Sequence, residues 1–265
     1  MKSARGEAGS TDVQFLAAGI IVLAVAMGVG RFAYTPLLPV MRREAGLSQT
    51  VGAILASVNL AGYLAGALAS SLPTFRLVRV PLIRYGTALS IATTGLMALQ
   101  SEAIWFVARA LAGVASGFVF VLASSVVLDR AALEAKRHWP AIFYGGVGLG
   151  IALCGLLVPP FLAVAGWRGG WLGLCIVSLL SCAITLSWFQ DVGLRPAERH
   201  AMPGGANRAL FWWLFAAYGG EGFGYIVPAT FMVAMIASAP GLASFAVLTW
   251  VIVGVVAIPS TFVWN

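Results

Sequence analysis

Charge is what this sequence has least of. Asp, Glu, Lys and Arg make up 9% of its 265 residues and hydrophobic residues 60%, whereas an ordinary soluble domain is roughly 25% charged. Mean hydropathy is +0.94. No soluble domain of this length can cover so much apolar surface, so lipid must be the solvent for much of the chain. Cysteine is scarce: Cys154, Cys175 and Cys182 are the three present. All lie inside apolar runs without zinc-ligand spacing, and their odd number speaks for buried free thiols. The two histidines, His138 and His200, fall between apolar runs. There is no HExxH, no paired intramembrane aspartate, no Ser/His/Asp set and no P-loop. Those absences argue against an enzyme and against ATP-driven transport by this chain, and no cofactor or metal is expected.

What is present is length of apolar run. Eight segments can span a bilayer: Phe15–Met41, Val51–Leu72, Val80–Leu99, Ala103–Leu128, Ala141–Ala165, Trp171–Phe189, Leu210–Ala237 and Leu242–Trp264. The first is too long for a signal-peptide core and is read as a membrane helix behind a polar tail, "MKSARGEAGSTDVQ". Glycine is frequent, 31 residues, mostly within these segments. That suits helices packed closely in lipid and not barrel strands, which alternate over about ten residues.

The net charge of +7 would suggest nucleic acid in a soluble protein. Here the basic residues sit singly in short loops, and topology accounts for them without a nucleic-acid partner. With the N-terminus inside, the inner face carries Lys2, Arg5, Arg76, Arg79, Arg84, Arg130, Lys136, Arg137, Arg195, Arg199 and Arg208, and the outer face only Arg42, Arg43 and Arg168. By the positive-inside rule both ends of the chain are expected in the cytoplasm.

"QDVGLRPAERHAMPGGANR", from Gln190 to Arg208, reads as a linker. The expected layout is therefore a cytoplasmic tail over 1–14, a six-helix bundle over 15–189, a cytoplasmic linker over 190–208 and two helices of a second bundle over 209–265. A weak repeat joins the bundles: "GRFAYTPLLP" aligns with "EGFGYIVPAT" when Tyr34 is set against Tyr225. Gly30 then faces Glu221, and Gly62 falls within one residue of Gly254, as a duplicated six-helix unit would leave them.

Three charges lie deep inside spans. Arg109 opens "RALAGVASG", with Gly113 and Gly117 on one helix face where another helix can approach. It stands eight residues past Ser101, the expected N-cap, on the order of 12 Å into the helix. Insertion there costs roughly 2.5–3.5 kcal/mol, so it needs a specific partner or function, or it snorkels to the outer surface. Arg31, in "GVGRFAYTPLLP", lies at similar depth beside glycines and ahead of Pro36 and Pro39, which can break helical hydrogen bonding. It reads as an anion or carboxylate site, or again as a snorkelling side chain. Glu221 is the one acid within a span, about 18 Å into the seventh segment. Desolvation favours its protonated form, and a wet cavity or a nearby cation favours the carboxylate. It can therefore gain and lose a proton, or serve as a static partner for a buried arginine. Tyr218 and Tyr225 share its helix face and either line a cavity with it or simply pack. "YGGVGLGIALCGLLVPP" in the fifth segment suits flexing and close packing equally, and "GWRGGW" reads as a tight outer turn.

The segments "GVGRFAYTPLLPVM", "NLAGYLAGAL", "YGGVGLGIAL" and "YGGEGFGYIVPATF", with R-x3-G-x3-G in the fourth helix, resemble the major facilitator superfamily and most closely its YbfB/YjiJ-type branch. The resemblance implies an all-α integral membrane protein of twelve helices in two six-helix bundles around a central cavity. It implies a secondary active transporter moving a small solute across the inner membrane by alternating access, and Glu221, able to gain and lose a proton, makes protons the expected coupled partner. Arg31, Tyr34, Glu221 and Tyr225 would then stand near the substrate path, and Arg109 would be the charged residue of the fourth-helix motif. Two departures matter. "LPTFRLVRV" lacks the superfamily's G-x3-D-R/K pattern, which puts its gating contact in question. Only about eight helices are legible, so the expectation is a chain truncated after helix 8, with a non-transporting remnant or helical scaffold as the alternative.

Overall fold

A computed structural model describes residues 2–76, 78–190 and 208–263; the side chains of residues 2–11 and of Arg76, Arg208, Phe211, Tyr218, Glu221, Phe223, Tyr225 and Ile226 are outside the described ones. Among the described residues the chain is all α, with no strand. The first span is composite: α1 (Lys2–Leu23), a π-helical turn (Ala24–Val29), a short irregular turn, and α2 (Tyr34–Glu44). Then come α3 (Gln49–Ser70), the single turn α4 (Pro73–Arg76), α5 (Arg79–Leu96), α6 (Glu102–Leu133), α7 (Trp139–Thr185), α8 (Arg208–Ser238) and α9 (Ala246–Val263). The expected linker falls almost wholly on 191–207, outside the described residues. The polar tail expected over 1–14 is helical from Lys2 onward.

Five helical stretches among the described residues are long and apolar enough to cross a membrane: Asp12–Glu44, Gln49–Ser70, Glu102–Leu133, Trp139–Trp188 and Ala243–Val263. The fifth and sixth expected segments share one of these. α7 runs through both and is broken only at Ala165 (φ −148°, ψ 33°) and Gly166 (φ 57°, ψ −150°). The turn is therefore shorter than "GWRGGW" suggests, because helix resumes at Trp167. Gly166 occupies a region of backbone space open essentially to glycine alone, and a Cβ there would stand 2.5 Å from Glu44 Oε2. That carboxylate, at the end of α2, accepts the Trp167 N–H at 2.9 Å and so caps the second half of α7. α5 falls outside the five because two arginines, three threonines and a serine dilute its apolar residues.

Polar contacts sort the helix ends into two sets. Asp12 pairs with Arg130 (2.8 Å) and Lys136 (3.4 Å), and Arg84 Nη2 donates to the Phe189 carbonyl at 3.5 Å. At the other ends, Glu44 meets Trp167 and Arg168 Nη2 donates to Gln100 Oε1 at 2.7 Å. Ser48 and Ser101 cap α3 and α6 by accepting the N–H groups of Val51 and Ile104, which satisfies otherwise orphaned donors.

Small residues set the helix–helix distances. α3 and α6 interlock through two glycines each. A Cβ on Gly113 would stand 2.1 Å from the Asn59 carbonyl oxygen and one on Gly117 2.4 Å from that of Tyr63, while Gly62 and Gly66 meet the Ala110 and Val114 carbonyls equally closely. The glycine-rich first half of α7 is packed on two faces. Gly146 and Gly150 lie against the backbone of Ile20, Ala24 and Gly28, and Gly148 and Gly155 against α9 at Gly254 and Val251. Close packing is thus what these glycines do. Gly62 and Gly254, near neighbours in the repeat alignment, serve different contacts: the first faces α6 and the second α7.

Candidate functional site

The site grows from the break in the first span. Pro36 has no N–H to give the Phe32 carbonyl. The Thr35 N–H turns back to that carbonyl instead, at 3.2 Å, a three-residue step. Upstream, the Gly30 and Phe32 amides reach five residues back, to Val25 (2.8 Å) and Met27 (3.2 Å). These shifts take the Arg31 carbonyl out of the regular ladder. Such π-type interruptions of a helix are frequent at functional sites, and backbone freed at membrane depth must find partners within the protein.

Arg109 on α6 supplies them. It is 3% exposed, and its Nη1 and Nη2 donate to the carbonyls of Gly30 at 3.3 Å and Arg31 at 3.5 Å. Its guanidinium carbon lies 4.6 Å from the centre of the Tyr34 ring, and its Nε is buried without an acceptor. The side chain does not snorkel. The Asn59 amide on α3 donates to the Arg109 carbonyl at 2.9 Å, at the point where Gly113 brings the two helices together. Tyr34 Oη donates to the Gly52 carbonyl at 3.0 Å, tying α2 to α3.

Arg31 is 8% exposed. Its guanidinium lies 4.4 Å from the Tyr63 ring centre and 5.2 Å from that of Phe32, in cation–π contact. Arg31 and Arg109 both border a small cavity with Tyr34, Thr35, Asn59 and, from α8, Thr230; it offers about 30 Å³ to the centres of water molecules. That is room for one or two waters in this conformation. Thr35 Oγ1 donates across to the Ala229 carbonyl of α8 at 2.9 Å, so the broken first span is bonded directly to the seventh expected segment. Trp250 of α9 packs obliquely on Phe32, ring centres 6.3 Å apart.

The structure therefore brings together Arg31, Tyr34 and Arg109 of the residues singled out in the sequence. Gly113 and Gly117 act one step away, by setting the α3–α6 distance. Glu221, Tyr218 and Tyr225 lie on α8, and their side chains are outside the described ones. Asn59, Tyr63, Thr35 and Thr230 escaped sequence reading. For Asn59 a signal existed, since an amide inside an apolar span needs a partner.

A second polar cluster lies at the ends of α5 and α6. Arg79, 2% exposed, pairs with Asp129, and its Nη1 reaches Ser125 Oγ at 3.5 Å. Although the connection from α3 lacks the expected acidic pattern, its arginine does make a half-buried ion pair with Asp129 of α6. At the opposite ends of the helices a wider opening of about 310 Å³ lies between α2 and α8, bordered by Arg42, Gln49, Phe231 and Met235.

An all-α membrane protein with a broken first span, buried arginines and a cavity shared by helices from both parts of the chain has the build of a solute carrier. The chain belongs to the major facilitator transporters: residues 23–265 match the family described as uncharacterised MFS-type transporter YbfB. No curated protein and no solved structure matches the chain.

Proposed function

We propose that this transporter of the major facilitator type moves a small solute across the cytoplasmic membrane by alternating access and couples it to protons. The observation that carries the reading is the cavity at the break of the first span, where Arg31 and Arg109 face residues of α8. Alternating access requires two parts that rock about a shared site. In this reading those parts are the helices of 15–189 and those of 209–265, and the Thr35–Ala229 bond crosses the seam between them. The excess of Lys and Arg on one set of loops supports a cytoplasmic N-terminus in the inner membrane.

Glu221, the lone acid within a span, is the proposed proton carrier. Its charge state biases inward- against outward-facing forms, with Tyr218 and Tyr225 on the same helix face along the path. Glu221→Gln is expected to abolish solute accumulation driven by a pH gradient in membrane vesicles, while leaving solute exchange across the membrane intact. Accumulation equal to wild type would refute the proton role.

A further inference from the structure

We infer that the cavity beside Arg31 binds a carboxylate, and hence that the transported solute is a small organic anion. The inference rests on the transporter reading above and specifies its substrate class.

Charge gives the first argument. Deep within the spans, away from their ends, the charged side chains are Arg31, Arg109 and Glu221. Even a fully ionised Glu221 leaves a surplus of one positive charge, and a protonated one leaves two. Among the described residues no carboxylate lies within ion-pair distance of either arginine. Buried charge of one sign in a low-dielectric setting is costly until a counter-charge arrives.

Geometry gives the second. The two guanidiniums are not equivalent. Arg109 is committed to the Gly30 and Arg31 carbonyls and holds the broken backbone in place, so it is a positioning residue. Arg31 lies over two rings. Ring faces engage the guanidinium plane but accept none of its in-plane N–H bonds, and no described oxygen accepts them either. That leaves the planar donor edge of Arg31 available for a bidentate carboxylate. Tyr34, Thr35 and Asn59 border the same cavity.

The cavity's size selects the probe. Room for one or two waters admits formate but not the whole of a larger solute, whose remainder would need the helices to part. The test is thermal unfolding of the full chain in lipid nanodiscs with sodium formate or formamide. Ionic strength is held constant with sodium chloride, whose spherical anion offers no pair of oxygens to a guanidinium fork. Formate is expected to raise Tm by about 2–4 °C at tenfold excess over its Kd, and formamide to leave it unchanged. Arg31→Gln should remove the formate shift, Arg31→Lys should weaken it, and Arg42→Gln, at the outer opening, should keep it. If Arg31→Gln does not fold, the lysine variant carries the test. The inference is overturned by the absence of a formate shift, by an equal shift with formamide, by an undiminished shift in the Arg31 variants, or by loss of the shift in Arg42→Gln. Any of these results, with pH-driven accumulation still dependent on Glu221, would leave a transporter of neutral or cationic solutes.

Discussion

Arg109 gives the Gly30 and Arg31 carbonyls, beside the break at Pro36, their donors, and it does so with two nitrogens of one planar group. Lysine at that position would keep the charge but lose the planar fork that meets both carbonyls at once. Arg109→Lys is therefore expected to destabilise the protein by about 1–3 kcal/mol, read as a lower Tm in nanodiscs; an unchanged Tm would show that the carbonyl contacts carry no weight. Tyr34→Phe removes only the bond to Gly52 and should cost about 1 kcal/mol, since the ring stays under Arg109. These two residues and Arg31 could be singled out from sequence because charge inside an apolar run is conspicuous. The partners could not. Asn59 and Tyr63 lie on α3, Thr35 on α2 and Thr230 on α8, and which of their faces meet depends on helix rotation, which no local pattern encodes. The snorkelling alternative for both arginines was likewise open in the sequence, and burial closed it.

Among the elements, the first span shows how far a pattern reaches. Pro36 announces a break, but the π-type turn at Ala24–Val29 lies upstream of it and follows from the way the shifted bonds settle against α6 and α7. Pro36→Ala restores the missing N–H. It is expected to raise Tm, to slow amide hydrogen exchange at residues 30–36, and to reduce transport by stiffening a span that must change shape; faster transport would contradict this. The glycines of α3 and α6 make a sharper case. Gly113→Ala drives a Cβ to 2.1 Å from a backbone oxygen of α3, and should cost roughly 1–3 kcal/mol or more. Gly219→Ala on α8 meets no described atom within 4 Å and should be neutral, or gain up to about 1 kcal/mol in helix propensity. Equal effects of the two, measured by thermal unfolding, would mean that close helix approach does not govern stability here. From sequence, the glycines of α7 admitted flexing and packing alike; only the neighbouring backbones of α1 and α9 decide for packing.

For the whole molecule, eight apolar segments were legible and all of them are helical, because lipid leaves the backbone no other open-ended choice. The pairing of helices was not legible: the sequence does not say that α3 meets α6, or that α7 is sandwiched between the first span and α9. Those pairings depend on small residues seeking each other across long separations. The charge asymmetry of the loops predicts sidedness. Single cysteines at Gln100 and Arg42 should react with a membrane-impermeant thiol reagent in intact cells, and one at Arg137 only after the membrane is opened; the reverse pattern would invert the molecule.

The most direct test of the account is proton movement in everted vesicles from cells producing the protein, on addition of a small-metabolite extract, with wild type, Arg31→Gln and Glu221→Gln side by side. The account predicts extract-dependent proton flux in wild type and at least a tenfold loss in both variants, corresponding to about 1.4 kcal/mol or more. Flux that persists undiminished in Arg31→Gln would contradict it, because the broken first span would then not be the solute site.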